Sequence, residues 1–171
     1  MDDEFFEYLA KDVDNRLKGQ DHLAKGLKAE AKVLSLLLAA DFVAGVLVPF
    51  GQHRPYDLVI EVAGKFYSIQ TKTGYLRDGV FIFKTSNNRG ESYVDIVDFI
   101  GAYEDKTQQL FLVPPKLLGR RNGYLRLEPP KSKQRKKIRF AADFGYRRVL
   151  YELVGAPPGL SGLFDMVPAS E

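Results

Sequence analysis

A helix-period segment, a run of closely spaced strand-period segments directly after it, and a second helical segment near the end predict an α+β or mixed α/β chain. The order excludes the regular alternation of a doubly wound fold. Three observations carry the prediction. Between residues 21 and 40, Leu23, Leu27, Ala31, Leu34 and Leu38 recur at helical spacing behind Asp21, a good N-cap. Between residues 43 and 84, four runs rich in β-branched and aromatic residues are separated by turns containing Gly or Pro. At 171 residues the chain is long enough for one sizeable core and too short for two.

Taken in order, residues 3–18 set Phe6, Leu9, Val13 and Leu17 at helical spacing, a short amphipathic helix. The main helix follows over 21–40, with Asp41 at its end. Strands are predicted at Val43–Val48, Asp57–Val62, Phe66–Lys72 and Val80–Lys84, and a later one at Leu110–Val113, stopped by Pro114-Pro115. The apolar and acidic mixture over Asp95–Tyr103 has room for another. Beyond Pro130 come a basic loop, a short strand at Ile138–Phe140, a helix over Ala142–Val154 and an irregular tail rich in Pro and Gly. The domain is therefore set at 1–154, with a core over 21–115, a basic region over 116–148 and the tail at 155–171.

The chain has no cysteine, which excludes disulfides, a thiol nucleophile and thiolate-bound metals, so a metal must sit on oxygen or imidazole. The acidic first residues and an apolar stretch that stops at Asp41 point to a soluble cytoplasmic protein away from membranes. The net charge is only +3, but residues 116–148 hold 12 basic and 2 acidic residues. Within them Lys131, Lys133, Arg135, Lys136, Lys137 and Arg139 form a block suited to neutralising backbone phosphates. A solvated loop is the other reading of such a run.

The segment Asp57–Lys72 reads as a hairpin. A turn at Gly64-Lys65 pairs Val59 with Gln70 and Asp57 with Lys72. Leu58, Ile60, Val62, Tyr67, Ile69 and Thr71 then share a core face, and Asp57, Glu61, Ser68, Gln70 and Lys72 share the other. Asp57 offers a hard anionic oxygen for Mg²⁺, Gln70 a neutral one, and the Thr71 carbonyl a third. Lys72 can orient a water or hold a phosphate as negative charge builds. Glu30, at spacing 23, 27, 30, 34, lies on the apolar face of the main helix, where a carboxylate is costly unless paired or bound to a cation. Packed beside the hairpin, it adds a second carboxylate to the site.

Glu30 within Gly26-Leu27-Lys28-Ala29-Glu30, then Pro55-Tyr56-Asp57, then Ile69-Gln70-Thr71-Lys72, resembles the PD-(D/E)XK nuclease superfamily over roughly residues 22–115. It is most similar to the branch with glutamine in place of the middle acid, that of group I intron-associated homing endonucleases. The resemblance implies a restriction-endonuclease-like fold, a central mixed sheet flanked by helices, and a Mg²⁺-dependent DNA endonuclease in which Mn²⁺ can substitute. It also implies a homodimer or higher oligomer for cutting duplexes. By position, Asp57 and Gln70 match metal ligands, Lys72 the water-positioning lysine, and Glu30 a direct or water-bridged ligand. The departures are Gln70 itself, which weakens charge compensation, and Tyr56 between Pro55 and Asp57. They leave two other readings: a binding module that has lost its chemistry, and a junction-specific resolvase. Arg77, Lys84, Arg89 and Tyr93 follow the motif as candidate phosphate contacts, Tyr75 as a stacking residue and His53 as a proton-transfer aid.

Overall fold

The computed structural model describes residues 21, 23–50, 54–128 and 138–155. The first element is helix α1, over 23–38. Its buried face is formed by Ala29, Val33 and Leu37, while Leu23, Leu27 and Leu38 are 66%, 57% and 61% exposed. The predicted leucine stripe is therefore rotated away from the core. Close approach explains the choice: α1 crosses the sheet at Gly101, where an added Cβ would lie 2.9 Å from Ile69 Cγ2 and 3.8 Å from Val33 Cγ1. Val33 sits over Gly101 in that gap, flanked on the same face by Ala29 and Leu37. The predicted helix over residues 3–18 lies outside the described residues.

Among the described residues seven strands follow: β1 Gly45–Leu47, β2 Leu58–Val62, β3 Lys65–Arg77, β4 Val80–Lys84, β5 Phe99–Glu104, β6 Gln109–Val113 and β7 Asn122–Arg126. They form one mixed sheet in the order β1-β2-β3-β4-β7, with β5 parallel to β3 and β6 antiparallel to β5. Helix α2, Tyr146–Leu153, packs with α1 on one face. Val33, Leu37, Leu58, Ile60, Ile69 and Leu150 fill that core. A second core on the other face holds Phe81, Phe83, Ile100, Phe111 and Leu125, closed by Tyr93 and Val97 from the loop before β5. The expected class, a central mixed sheet flanked by helices, is the one found. No helix among the described residues is long and apolar enough to cross a membrane.

Three elements differ from expectation. β7 lies inside the basic region, where only Leu125 and Gly123 of its five residues are buried, too few for an apolar alternation to register. The strand predicted at Ile138–Phe140 is reduced to an isolated parallel bridge between Phe140 and Arg126. The second helix starts at Tyr146 because Ala141–Asp143 is a separate 3-10 turn and Gly145 takes the N-cap position.

The β2–β3 turn is Ala63-Gly64, both at positive φ (50° and 72°), as a two-residue turn matched to strand twist requires. Val62 pairs with Lys65 and Leu58 with Ile69, which brings Asp57 opposite Gln70 and corrects the expected pairing with Lys72. The partner shifts by two residues. Side chains alternate with period two, so every residue keeps its predicted face.

Candidate active site

The site sits where β3 passes beyond β2. Residues Gln70–Thr73 pair with β5 on one edge, and neither β2 nor β4 pairs with them on the other, since the β2 pairing stops at Leu58–Ile69 and the β4 pairing stops at Phe83–Gly74. Asp57 fills this notch. Its backbone N–H continues the ladder by donating to the Ile69 carbonyl at 2.9 Å. Its Oδ2 accepts the Thr71 N–H at 2.7 Å and the Gln70 Nε2 at 2.6 Å, and Gln70 Nε2 stands 3.4 Å from the Thr71 carbonyl. The carboxylate thus replaces the missing strand neighbour and fixes Gln70 and Thr71 around itself.

Glu30 reaches the same place from α1, beside Ala29 at the border of the buried face. Burial raises its carboxyl above the ordinary range, the Asp57 charge raises it further, and Lys72 opposes both. Burial also raises Asp57, against the Thr71 N–H, the Lys72 charge and the Gln70 amide. Lys72 lies with its Nζ 5.0 Å above the centre of the Tyr93 ring, whose π face favours the ammonium. The structure therefore brings Glu30, Asp57, Gln70, Thr71 and Lys72 together, the five residues selected from the sequence.

Among the described residues no group of three or more His, Asp or Glu gathers, so a cation would rest on two carboxylates and neutral oxygens. The donor set fits a hard divalent ion: Asp57 and Glu30 as anions, Gln70 Oε1 and the Thr71 carbonyl as neutral donors. Thr71 Oγ1, beside them, is buried without a hydrogen-bond partner, which leaves room in its bonding for a water or ligand. Two desolvated carboxylates, of which Asp57 raises the pKa of Glu30, gain from a cation what they lack in water.

Next to the site opens a cleft of about 360 Å³ lined by Arg54, Gln70, Asn87, Arg89, Glu91 and Tyr93. Asn87 builds its wall: Oδ1 accepts the N–H groups of Arg89 and Glu91 at 2.9 Å each, and Nδ2 donates to Glu91 Oε2 at 2.7 Å. The loop, closed by a Ser86–Ser92 bridge, holds exposed Arg89 at its tip. Arg54, three residues before Asp57, was not selected from the sequence; its position just ahead of the motif is the signal that marks it. Tyr93, expected to meet phosphate, is 6% exposed and belongs to the core beneath Lys72. Tyr75, Arg77 and Lys84 are exposed but stand away from the cleft, on β3 and β4. Arg139 is exposed beside β7. Lys131, Lys133, Arg135, Lys136, Lys137 and His53 lie outside the described residues.

A family model described as PD-(D/E)XK endonuclease matches residues 21–147. Among solved structures, the bacterial homing endonuclease I-Ssp6803I is similar with a TM-score of 0.56 and 23% identity, covering 77% of this chain and 89% of that one. No curated protein matches the sequence.

Proposed function

Because the chain belongs to the PD-(D/E)XK endonuclease family, we propose that it is a divalent-metal-dependent DNA endonuclease that hydrolyses phosphodiester bonds at the notch beside β3. The observation that supports this most is the convergence of Asp57 with Gln70 and Thr71, joined by the electrostatic coupling of Glu30 and Lys72. Asp57, Glu30, Gln70 Oε1 and the Thr71 carbonyl hold Mg²⁺, with Mn²⁺ as substitute. When bound, the cation supplies positive charge to the phosphoryl oxygens and acidity to an attacking water.

The rest of the reaction falls to the chain's own groups. Gln70 now donates its amide to Asp57, so presenting Oε1 to a cation requires the amide to turn over and give up that 2.6 Å bond. Lys72, seated on Tyr93, orients the water and stabilises negative charge as it builds on the phosphate. Arg54 and Arg89 on the cleft walls bind flanking phosphates, and the Asn87-braced loop keeps Arg89 in place. The 131–139 block adds sequence-independent affinity, and a homodimer or higher oligomer supplies the second centre needed to cut both strands. The test is incubation with supercoiled, linear, single-stranded and four-way-junction DNA in Mg²⁺, Mn²⁺ or EDTA. Cleavage with metal and none in EDTA or with Lys72→Ala is expected. Wild-type protein that binds DNA and cuts none of these in either metal would leave the binding-module reading in its place.

A further inference from the structure

Beyond residue 73, β3 leaves the helices behind and continues with β4 and β7 as a three-stranded sheet. One face of it packs Phe81, Phe83 and Leu125 into the second core. The other is bare among the described residues. Ile69 and Thr71 point toward α1, so by alternation Tyr75 and Arg77 lie on the same side. Direct pairing builds two cross-strand rows there: Tyr75, Ile82 and Tyr124, and beside it Arg77, Val80 and Arg126. Tyr75 is 59% exposed and Tyr124 53%. Exposed Lys84 ends β4 on the same face.

We infer that this face is a second DNA-binding surface, separate from the notch; the inference rests on the endonuclease reading. Charge decides the occupant. The two rows and Lys84 carry three cations, bordered by two acids: Asp78 in the β3–β4 turn, in a solvent-exposed pair with Arg77 at 3.6 Å, and Glu128, whose Oε2 would lie 3.5 Å from a Cβ added at Gly79. The Arg77–Asp78 pair contributes little and yields to phosphate. A second copy of the chain docking here about a two-fold axis would set these cations against their own images. A polyanion meets no such repulsion. Spacing agrees: two strand separations put the tyrosines about 10 Å apart, and Tyr75 is three residues, about 10 Å, along the strand from Lys72. By the same alternation Lys72, like Gln70, lies on the opposite face of β3, so this surface meets DNA apart from the notch. The Phe140–Arg126 bridge also ties the start of the described 138–155 segment, with exposed Arg139, to the edge of this sheet.

The test measures full-length protein binding a labelled 30-base-pair duplex in EDTA across a salt series, beside sedimentation and cleavage in Mg²⁺. Arg77→Ala with Arg126→Ala is expected to reduce the slope of log affinity against log salt by about two. Tyr75→Ala with Tyr124→Ala is expected to weaken binding about tenfold at fixed salt, while the corresponding Phe variants retain it. Unchanged affinity and slope in both Ala variants, with wild-type protein still cutting DNA, would overturn the surface and leave the nuclease reading standing. A change of oligomeric state with unaltered DNA affinity would reassign the face to contacts between copies. Wild-type protein that neither binds nor cuts DNA would remove both.

Discussion

Gln70→Glu restores the family's usual acid and places it where Gln70 Nε2 now stands, 2.6 Å from Asp57 Oδ2. Without metal, the substitution exchanges a hydrogen-bond donor for a second carboxylate facing the first. Two unit charges about 4 Å apart repel by about 1 kcal/mol in water and about 4 kcal/mol at the effective dielectric of a protein surface. Glu30 adds a third negative charge, and Lys72 offsets only one. After side-chain relaxation we expect a net loss of about 2 kcal/mol in EDTA, which for a chain of this size lowers Tm by roughly 4–8 °C. Saturating Mg²⁺ or Mn²⁺ should return most of it, because binding to the native state stabilises by mass action. The wild-type protein, with one carboxylate fewer, should show a smaller metal-induced rise and weaker metal binding in calorimetry. Thermal melts of both proteins with EDTA and with metal are the assay. If Gln70→Glu matched wild type in EDTA and metal moved neither melting temperature, Gln70 would not face a cation and the ligand set would be wrong.

Other outcomes follow from the same geometry. Asp57→Asn and Lys72→Ala should each abolish cleavage while retaining most DNA affinity, checked by paired cleavage and anisotropy assays; loss of binding in step with activity would count against a catalytic role. Ala63 holds a positive φ that costs an L-residue about 1 kcal/mol, so Ala63→Asn should raise stability by about 0.5–1 kcal/mol in urea unfolding. Glu104 is buried, which raises its carboxyl. Bonds from Thr107 Oγ1 at 2.6 Å, Thr107 N–H at 2.7 Å and Lys106 N–H at 3.2 Å, with the Lys106 charge, outweigh burial and leave it below the ordinary value. A carboxylate depressed by folding stabilises above its unfolded pKa and loses that contribution as pH falls through the folded one. Glu104→Gln should therefore cost about 1–3 kcal/mol at pH 7, with the gap to wild type closing below pH 4.5; a gap independent of pH would refute the assignment.

The site was more legible in the sequence than the packing around it, and the reason lies in what each depends on. Placing Asp57, Gln70 and Lys72 together required only that β2 and β3 form a hairpin with even parity. The wrong turn, Gly64-Lys65 in place of Ala63-Gly64, moved partners by two residues and left the faces intact. An error of one residue would have sent Asp57 to the core. The resemblance to PD-(D/E)XK nucleases rests on those same residues, and the family match agrees with it. The buried face of α1 depended instead on which helix surface approaches Gly101, a contact between segments some 70 positions apart that no local period encodes. Glu30 reaches the charges of Asp57 and Lys72 although the predicted stripe is rotated, because it lies one position from Ala29, on the border of both faces. Tyr93 failed for the opposite reason: its hydroxyl and its place after the motif suggested a surface contact, whereas the ring's use is to underlie Lys72. A charged side chain on a strand is pinned by alternation, but its support comes from Tyr93, in a loop 21 residues away. For this notch the candidate ligands are thus written locally and their positioning is written in tertiary structure, so variants at Tyr93 and Asn87 should disturb the geometry of Lys72 and Arg89 without altering the proposed ligand set.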